Sequence, residues 1–221
     1  MSLNHAQTEA VAHNKGPCMV LAGPGSGKTL TIAKRIEYLI MKHKVRPEEI
    51  LVITFTKYAA WEMKNRTRSI CGPSSYAVTF GTFHGIYYGI LKWAYRLNQS
   101  NLLSDEEKYR ILREILPGID WDQEPEADEE KDYLQELAIE IGNVKNNCMD
   151  IEEYEPVKYT TEKFRKLYRT YEETKKKYRK IDFEDMLIQC RDLFMKRPDI
   201  LKKWQEKFQY FLVDEFQDVN L

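Results

Sequence analysis

A chain of 221 residues with 34 basic and 35 acidic side chains carries a formal net charge of −1, so a polyanion must be held by local patches and not by a global field. The length suits one large domain or two small ones, and no stretch approaches a membrane span. Four cysteines, Cys18, Cys71, Cys148 and Cys190, have neither pair nor metal spacing, which argues for a reducing cytoplasm and against a zinc site.

The first predicted element is a short strand, Cys18-Met19-Val20-Leu21. It runs into Ala22-Gly23-Pro24-Gly25-Ser26-Gly27-Lys28-Thr29, and then into a helix with Ile32, Ile36, Leu39 and Ile40 on one face. Strand, glycine-rich loop, Gly-Lys-Thr and helix are the context of a phosphate-binding P-loop. Gly23, Gly25 and Gly27 let the backbone curl so that successive N–H groups point inward at phosphate oxygens, and Gly23, Pro24, Gly25, Ser26, Gly27, Lys28 and Thr29 are the expected nucleotide-binding residues. The helix start adds the positive end of its dipole. Lys28 reaches the β- and γ-phosphates, and the Thr29 hydroxyl is a ligand for Mg²⁺. The bland alternative, a glycine-rich turn that happens to contain Gly-Lys-Thr, explains neither the flanking strand nor the helix.

Ile50–Ile53 and Tyr76–Phe80 read as further strands, so residues 1–90 alternate strand and helix, the pattern of a parallel sheet flanked by helices. From about 91 to 180 the strand pattern is lost. Ser104-x-x-Glu107 is a capping box, and Leu134, Leu137, Ile141 and Val144, then Phe164, Leu167, Tyr168 and Tyr171, form helical stripes. Residues 120–132 hold eight acidic residues and one lysine, a solvated loop. Residues 162–180 carry nine Lys/Arg against three Glu, which suits either a duplex phosphate contact or a solvated face with cations at the helix C-terminus. Tyr210–Val213 is an apolar run followed at once by Asp214-Glu215. An Asp at the end of a buried strand beside a P-loop is placed to hold Mg²⁺, and the Glu to polarise a water toward the γ-phosphate. The chemistry expected is therefore binding of ATP, or another NTP, with Mg²⁺, followed by hydrolysis.

Asp214-Glu215-Phe216-Gln217-Asp218 closely resembles motif II of the superfamily 1 DNA helicases of the UvrD/Rep/PcrA type. Leu3–Val11 resembles that family's Q motif, residues 54–63 (Thr-Phe-Thr-Lys-Tyr-Ala-Ala-Trp-Glu-Met) its motif Ia, Gly81-Thr82-Phe83-His84 its motif Ib, and Ile181–Leu187 the block that returns the chain toward motif II. The resemblance implies an α/β, RecA-like P-loop NTPase fold, with the sheet domain in residues 1–90 and 181–221 and an all-helical insertion in residues 91–180. It implies an ATP-dependent 3′→5′ helicase acting on single-stranded DNA, with Lys28, Asp214 and Glu215 catalytic and Thr29 and Asp214 on Mg²⁺. Gln7 would read the adenine edge, and Phe55, Thr82 and His84 would contact DNA. Phe83 is assigned to core packing, and Trp61, Trp93, Trp121 and Trp204 to the core or to packing.

The chain departs from the family pattern where Lys57-Tyr58 replace Asn-Lys in motif Ia, and where Leu30 stands in place of an Arg after the P-loop. It stops at Leu221, directly after motif II, so it resembles an N-terminal piece whose partner would be a second RecA-like domain carrying the arginines that complete hydrolysis; alone it would bind nucleotide with little turnover. Met1-Ser2 read as an addition ahead of the first motif. In the additional-strand ATPases that the family resembles, a strand from beyond motif II lies between the P-loop and motif II strands. Residues 18–21 and 209–213 are thus expected either to pair directly or to have the slot between them filled by another segment. Two other readings stay open: the helicase subunit of an AddA/RecB-like helicase–nuclease, and a P-loop nucleotide-gated binding module without unwinding.

Overall fold

The computed structural model describes residues 3–14, 16–119 and 130–218. In chain order these form α1 (His5–Ala12), α2 (Lys28–Met41), β1 (Ile50–Thr54), α3 (Lys57–Cys71), β2 (Thr79–Thr82), α4 (Phe83–Tyr95), α5 (Asp105–Ile115), α6 (Glu130–Asn146), α7 (Thr161–Lys177), α8 (Phe183–Lys196), α9 (Pro198–Lys207) and β3 (Tyr210–Val213), with short 3₁₀ turns between them. No helix among the described residues is long and apolar enough to cross a membrane. The chain divides into two compact units, residues 1–86 with 197–219, and residues 87–196. The boundary at Ile86 falls inside α4.

The first unit is α/β. Its sheet has the order β2-β1-β3 and both pairings are parallel, with Thr54 opposite Thr82 and Ile53 opposite Val213. All five residues of β1 are buried, the unbroken apolar run of a parallel central strand covered on both faces. Ile50 and Val52 pack with Ile36 and Leu39 of α2 and Met63 of α3, while Leu51 and Ile53 pack with Phe83, Trp204 and Phe208. The packing role expected for Phe83 and Trp204 is thus observed. At the N-terminus Asn4 and Gln7 form a reciprocal capping box on α1. Arg35 of α2 donates to the Val11 and His13 carbonyls and so ties the end of α1 to α2.

Three expectations about this unit are corrected. Cys18–Leu21 is not a strand. The run enters none of the sheet's pairings, and Leu21 is 89% exposed. A strand exists through its ladder, and no strand among the described residues supplies one to 18–21. Neither direct pairing with 209–213 nor a filled slot is therefore observed, and β3 is an edge strand with Phe211 exposed. The strand expected at Tyr76–Phe80 begins at Thr79, because a 3₁₀ turn at Gly72–Ser75 holds Tyr76 and Val78 on the Pro73 and Ser75 carbonyls. Trp61 is exposed on α3 and is not core.

The second unit is helical. Leu112, Ile141, Val144, Phe164, Leu167 and Tyr171, drawn from α5, α6 and α7, form its core, and the Ser104–Glu107 capping box opens α5. Trp93 is exposed and not core, while Trp121 and residues 120–129 of the acidic stretch lie outside the described residues. The return to the sheet, placed by sequence at 181, comes at Arg197. Residues 181–196 stay with the helices for two reasons. Ile181 makes a parallel bridge to Leu102, exchanging backbone hydrogen bonds of 2.8 Å with Asn101 and Leu103. Asp182 and Asp185, at the start of α8, are buried against Lys145 of α6 and Lys175 of α7, at 2.6–2.8 Å. The basic segment 162–180 is accordingly split. Lys175 lies inside this cluster and Lys180 pairs with Glu107 at 2.6 Å, while Lys176 and Lys177 face solvent.

Candidate functional site

The glycine-rich loop adopts the geometry its composition allows. Gly25 and Gly27 have φ of +72° and +85°, in the left-handed region, and Ser26 N–H closes a turn onto the Gly23 carbonyl at 3.3 Å. At Gly27 a side chain would be doubly resisted, by φ and by the Gln7 Nε2 atom 3.0 Å from where a Cβ would stand. Gly27 is also the N-cap of α2, and no side chain caps that end. The first N–H groups of α2 are left without a capping side chain at the positive end of its dipole, as an anion site requires.

Because the strands are parallel, their C-terminal ends share one edge of the sheet, where ligands of α/β sheets gather. Phe55 follows the end of β1, Thr82 ends β2 and His84 follows it in α4, and Asp214-Glu215 follow β3. Asp214 N–H donates to the Ile53 carbonyl at 2.9 Å, which fixes this corner to β1. Lys28 Nζ of the P-loop lies 3.5 Å from Glu215 Oε1. Loop and strand end, distant in sequence, are thereby brought together. Thr29, Pro24 and Ser26 lie on the same loop and turn as Lys28.

The two carboxylates are tuned apart. Burial, then the adjacent Glu215 charge, raises the Asp214 carboxyl above its ordinary value against the pull of Lys28. A hydrogen bond from Gln217 Nε2 at 2.6 Å, then the Lys28 charge, lowers Glu215. Glu215 also has φ +52°, a left-handed backbone that non-glycine residues rarely adopt. Gln217 carries no role in the sequence reading beyond its place in motif II; its spacing of two from Glu215 is the signal that could have assigned it. Asp214, after the end of β3, and the Thr29 hydroxyl, at the start of α2, offer hard oxygen donors of the kind that suit Mg²⁺.

Among the residues expected to touch the base or DNA, Gln7 is already engaged: its Oε1 accepts from Asn4 N–H at 3.0 Å and its Nε2 donates to the Ser26 carbonyl at 2.8 Å. Its amide therefore senses the P-loop directly. Phe55 is 59% exposed, and His84 is exposed. The Thr82 hydroxyl accepts from Gly85 N–H at 3.1 Å and so supports the start of α4.

The sequence profile of the UvrD/REP helicase N-terminal domain matches residues 3–221. The chain is 36% identical to a putative ATP-dependent DNA helicase, YjcD, of Bacillus subtilis, over 100% of this chain and 29% of that protein. It is 34% identical to the ATP-dependent DNA helicase PcrA of the same organism and 33% identical to DNA helicase II of Escherichia coli, in each case over 99% of this chain and 30% of the relative. The chain thus spans about 30% of the length of these curated relatives. On the profile match and these identities, the chain belongs to the UvrD/REP helicase family.

Proposed function

We propose that this chain is the ATP-binding part of an ATP-dependent DNA helicase that moves 3′→5′ on single-stranded DNA. The observation that carries the reading is the approach of Lys28, on the uncapped start of α2, to Glu215 at the end of β3. In this reading the first unit is the RecA-like domain and residues 87–196 are a helical insertion within it. The loop N–H groups and Lys28 bind and orient the phosphates, and Glu215, kept ionised by Gln217 and Lys28, takes the proton of the attacking water. Thr29 and Asp214 would hold Mg²⁺, which supplies charge neutralisation on the phosphates. Gln7 couples the adenine position to the loop through Ser26. Phe55, Thr82 and His84, on the shared edge, form the DNA side. Hydrolysis at full rate would draw on arginines of a second RecA-like domain, for which the greater length of the relatives leaves room.

The test is nucleotide-induced stabilisation. Mg-ATP at 100 times its dissociation constant adds about 2.7 kcal/mol, a melting shift of roughly 5–10 °C for a chain of this size. Lys28→Ala removes most of that shift. No shift at millimolar nucleotide would sink the reading.

A further inference from the structure

Helix α3 begins two residues after Phe55, and one side of it is unusual for a surface. Its buried positions, Ala60, Met63, Thr67 and Cys71, lie on one face. On the solvent-facing side, positions 58, 61, 65 and 68 fall within about 80° of the circumference. There Tyr58 is 70% and Trp61 59% exposed, and their rings lie 5.9 Å apart as helical neighbours. Two turns beyond Trp61, Arg68 sits 4.9 Å over the ring of Tyr76, itself 61% exposed. Large aromatic side chains in a row are not what solvent selects. The helix is also positive in a chain of net charge −1: Lys57, Lys64, Arg66 and Arg68 stand against Glu62 alone, and among the described residues none of the four enters an ion pair.

We propose that this face is a second binding surface for single-stranded nucleic acid, in which Tyr58 and Trp61 stack on bases and Arg68, braced by Tyr76, meets a backbone phosphate. It rests on the single-strand reading above and extends it along α3, beyond the sheet edge. Three observations choose this occupant. The excess of positive charge fits a polyanion. Exposed rings serve unstacked bases, whereas bases inside a duplex have their faces already covered. The surface also continues from Phe55, which lies between the end of β1 and the start of α3. Tyr58, one of its two stacking residues, stands where the family pattern has Lys.

The experiment is a fluorescence-anisotropy titration of the 221-residue chain with a short oligothymidylate, an abasic oligomer of equal length and a duplex. The proteins compared are the parent, Phe55→Ala, and the double variant Tyr58→Ala/Trp61→Ala, whose changes are solvent-facing and leave the melting temperature in place. The parent binds the oligothymidylate about tenfold or more tightly than the abasic strand, as stacking on aromatic faces requires. The double variant loses most of that preference while keeping its affinity for the abasic strand. A double variant that keeps the preference, with Phe55→Ala losing it, overturns this surface and leaves the single-strand reading intact. A parent that binds none of the oligomers at low salt overturns both. A duplex bound as tightly as the single strand overturns the stacking role.

Discussion

Glu215 is held at φ +52°, which costs a residue with a Cβ about 1–2 kcal/mol relative to glycine. Its ion pair with Lys28 does not offset this, because both side chains are about a third exposed and such pairs contribute about 0–1 kcal/mol. The conformation therefore serves position and not stability: it aims the carboxylate at the P-loop lysine and into the reach of Gln217. Glu215→Gln keeps the strained backbone and loses the charge, whereas Glu215→Gly loses both. Urea unfolding should find the glycine variant about 1 kcal/mol more stable than the glutamine variant. Equal stabilities would mean that the left-handed backbone is not strained here. Asp214 and Glu215 were legible as the acidic pair after an apolar run. The left-handed backbone was not, since nothing in the letters Asp-Glu-Phe-Gln requires it. Trp61 packs on Tyr58 but is not core, and the signal is in the sequence: Ala60, Met63, Thr67 and Cys71 make an inward stripe that leaves position 61 outside.

Among the elements, α8 shows how a motif can be read correctly and placed wrongly. Ile181-Asp182-Phe183-Glu184-Asp185 was legible as a block, and Asp182 and Asp185 do cap the helix reciprocally, each accepting the other's N–H at 2.9 and 3.1 Å. Its allegiance to the helical unit depends on Lys145 and Lys175, 37 and 7 residues from Asp182, and no local pattern announces a buried lysine. The carboxylates of Glu172, Asp182 and Asp185 lie close enough to hold a metal ion, but the two ammonium groups take that place, each within 2.9 Å of all three. Tyr171 donates a further hydrogen bond to Asp182 at 3.2 Å. Removing Asp182 takes away the buried carboxylate that both ammonium groups and the Tyr171 hydroxyl share, at a cost of about 3–5 kcal/mol. Asp182→Ala should lower unfolding stability by that amount, while Glu172→Gln, which keeps the side-chain shape at the less buried member of the cluster, costs less. Equal losses from the two substitutions would show that burial is not what makes the cluster matter. The converse failure is at Cys18–Leu21, where an apolar run was read as a strand. Apolarity predicts burial against something, and a strand needs a neighbour that a local window cannot contain.

Across the whole molecule, the two units carry separate cores and the ionic cluster belongs to one of them. Burial alone would raise the Asp182 carboxyl, but Lys175 and Lys145 together outweigh it and hold it well below the usual carboxylate range. A carboxyl depressed in the folded state stabilises above its unfolded pKa, and that contribution fades as pH falls below about 4 toward the folded value. Asp185 acts in the opposite sense, raised by burial and by the Asp182 and Glu172 charges against the two lysines, so its protonation relieves part of the loss. Glu107, lowered by its hydrogen bond from Lys180, adds to the acid sensitivity. Lys145 is raised because Asp182, Asp185 and Glu172 outweigh its burial, and its contribution persists until pH exceeds about 10.4, the unfolded lysine value. The helical unit should therefore keep a flat stability between about pH 5 and 10 and weaken below about pH 4, led by Asp182. Urea unfolding at pH 7, 5, 4 and 3, followed by amide exchange in α6 to α8 against β1, resolves the units. Peptides of α6 to α8 should lose protection as pH falls through this range, and Asp182→Asn, already weakened at neutral pH, should show a shallower acid limb. An Asp182→Asn protein whose acid limb matches the parent's would remove Asp182 as the source of that sensitivity.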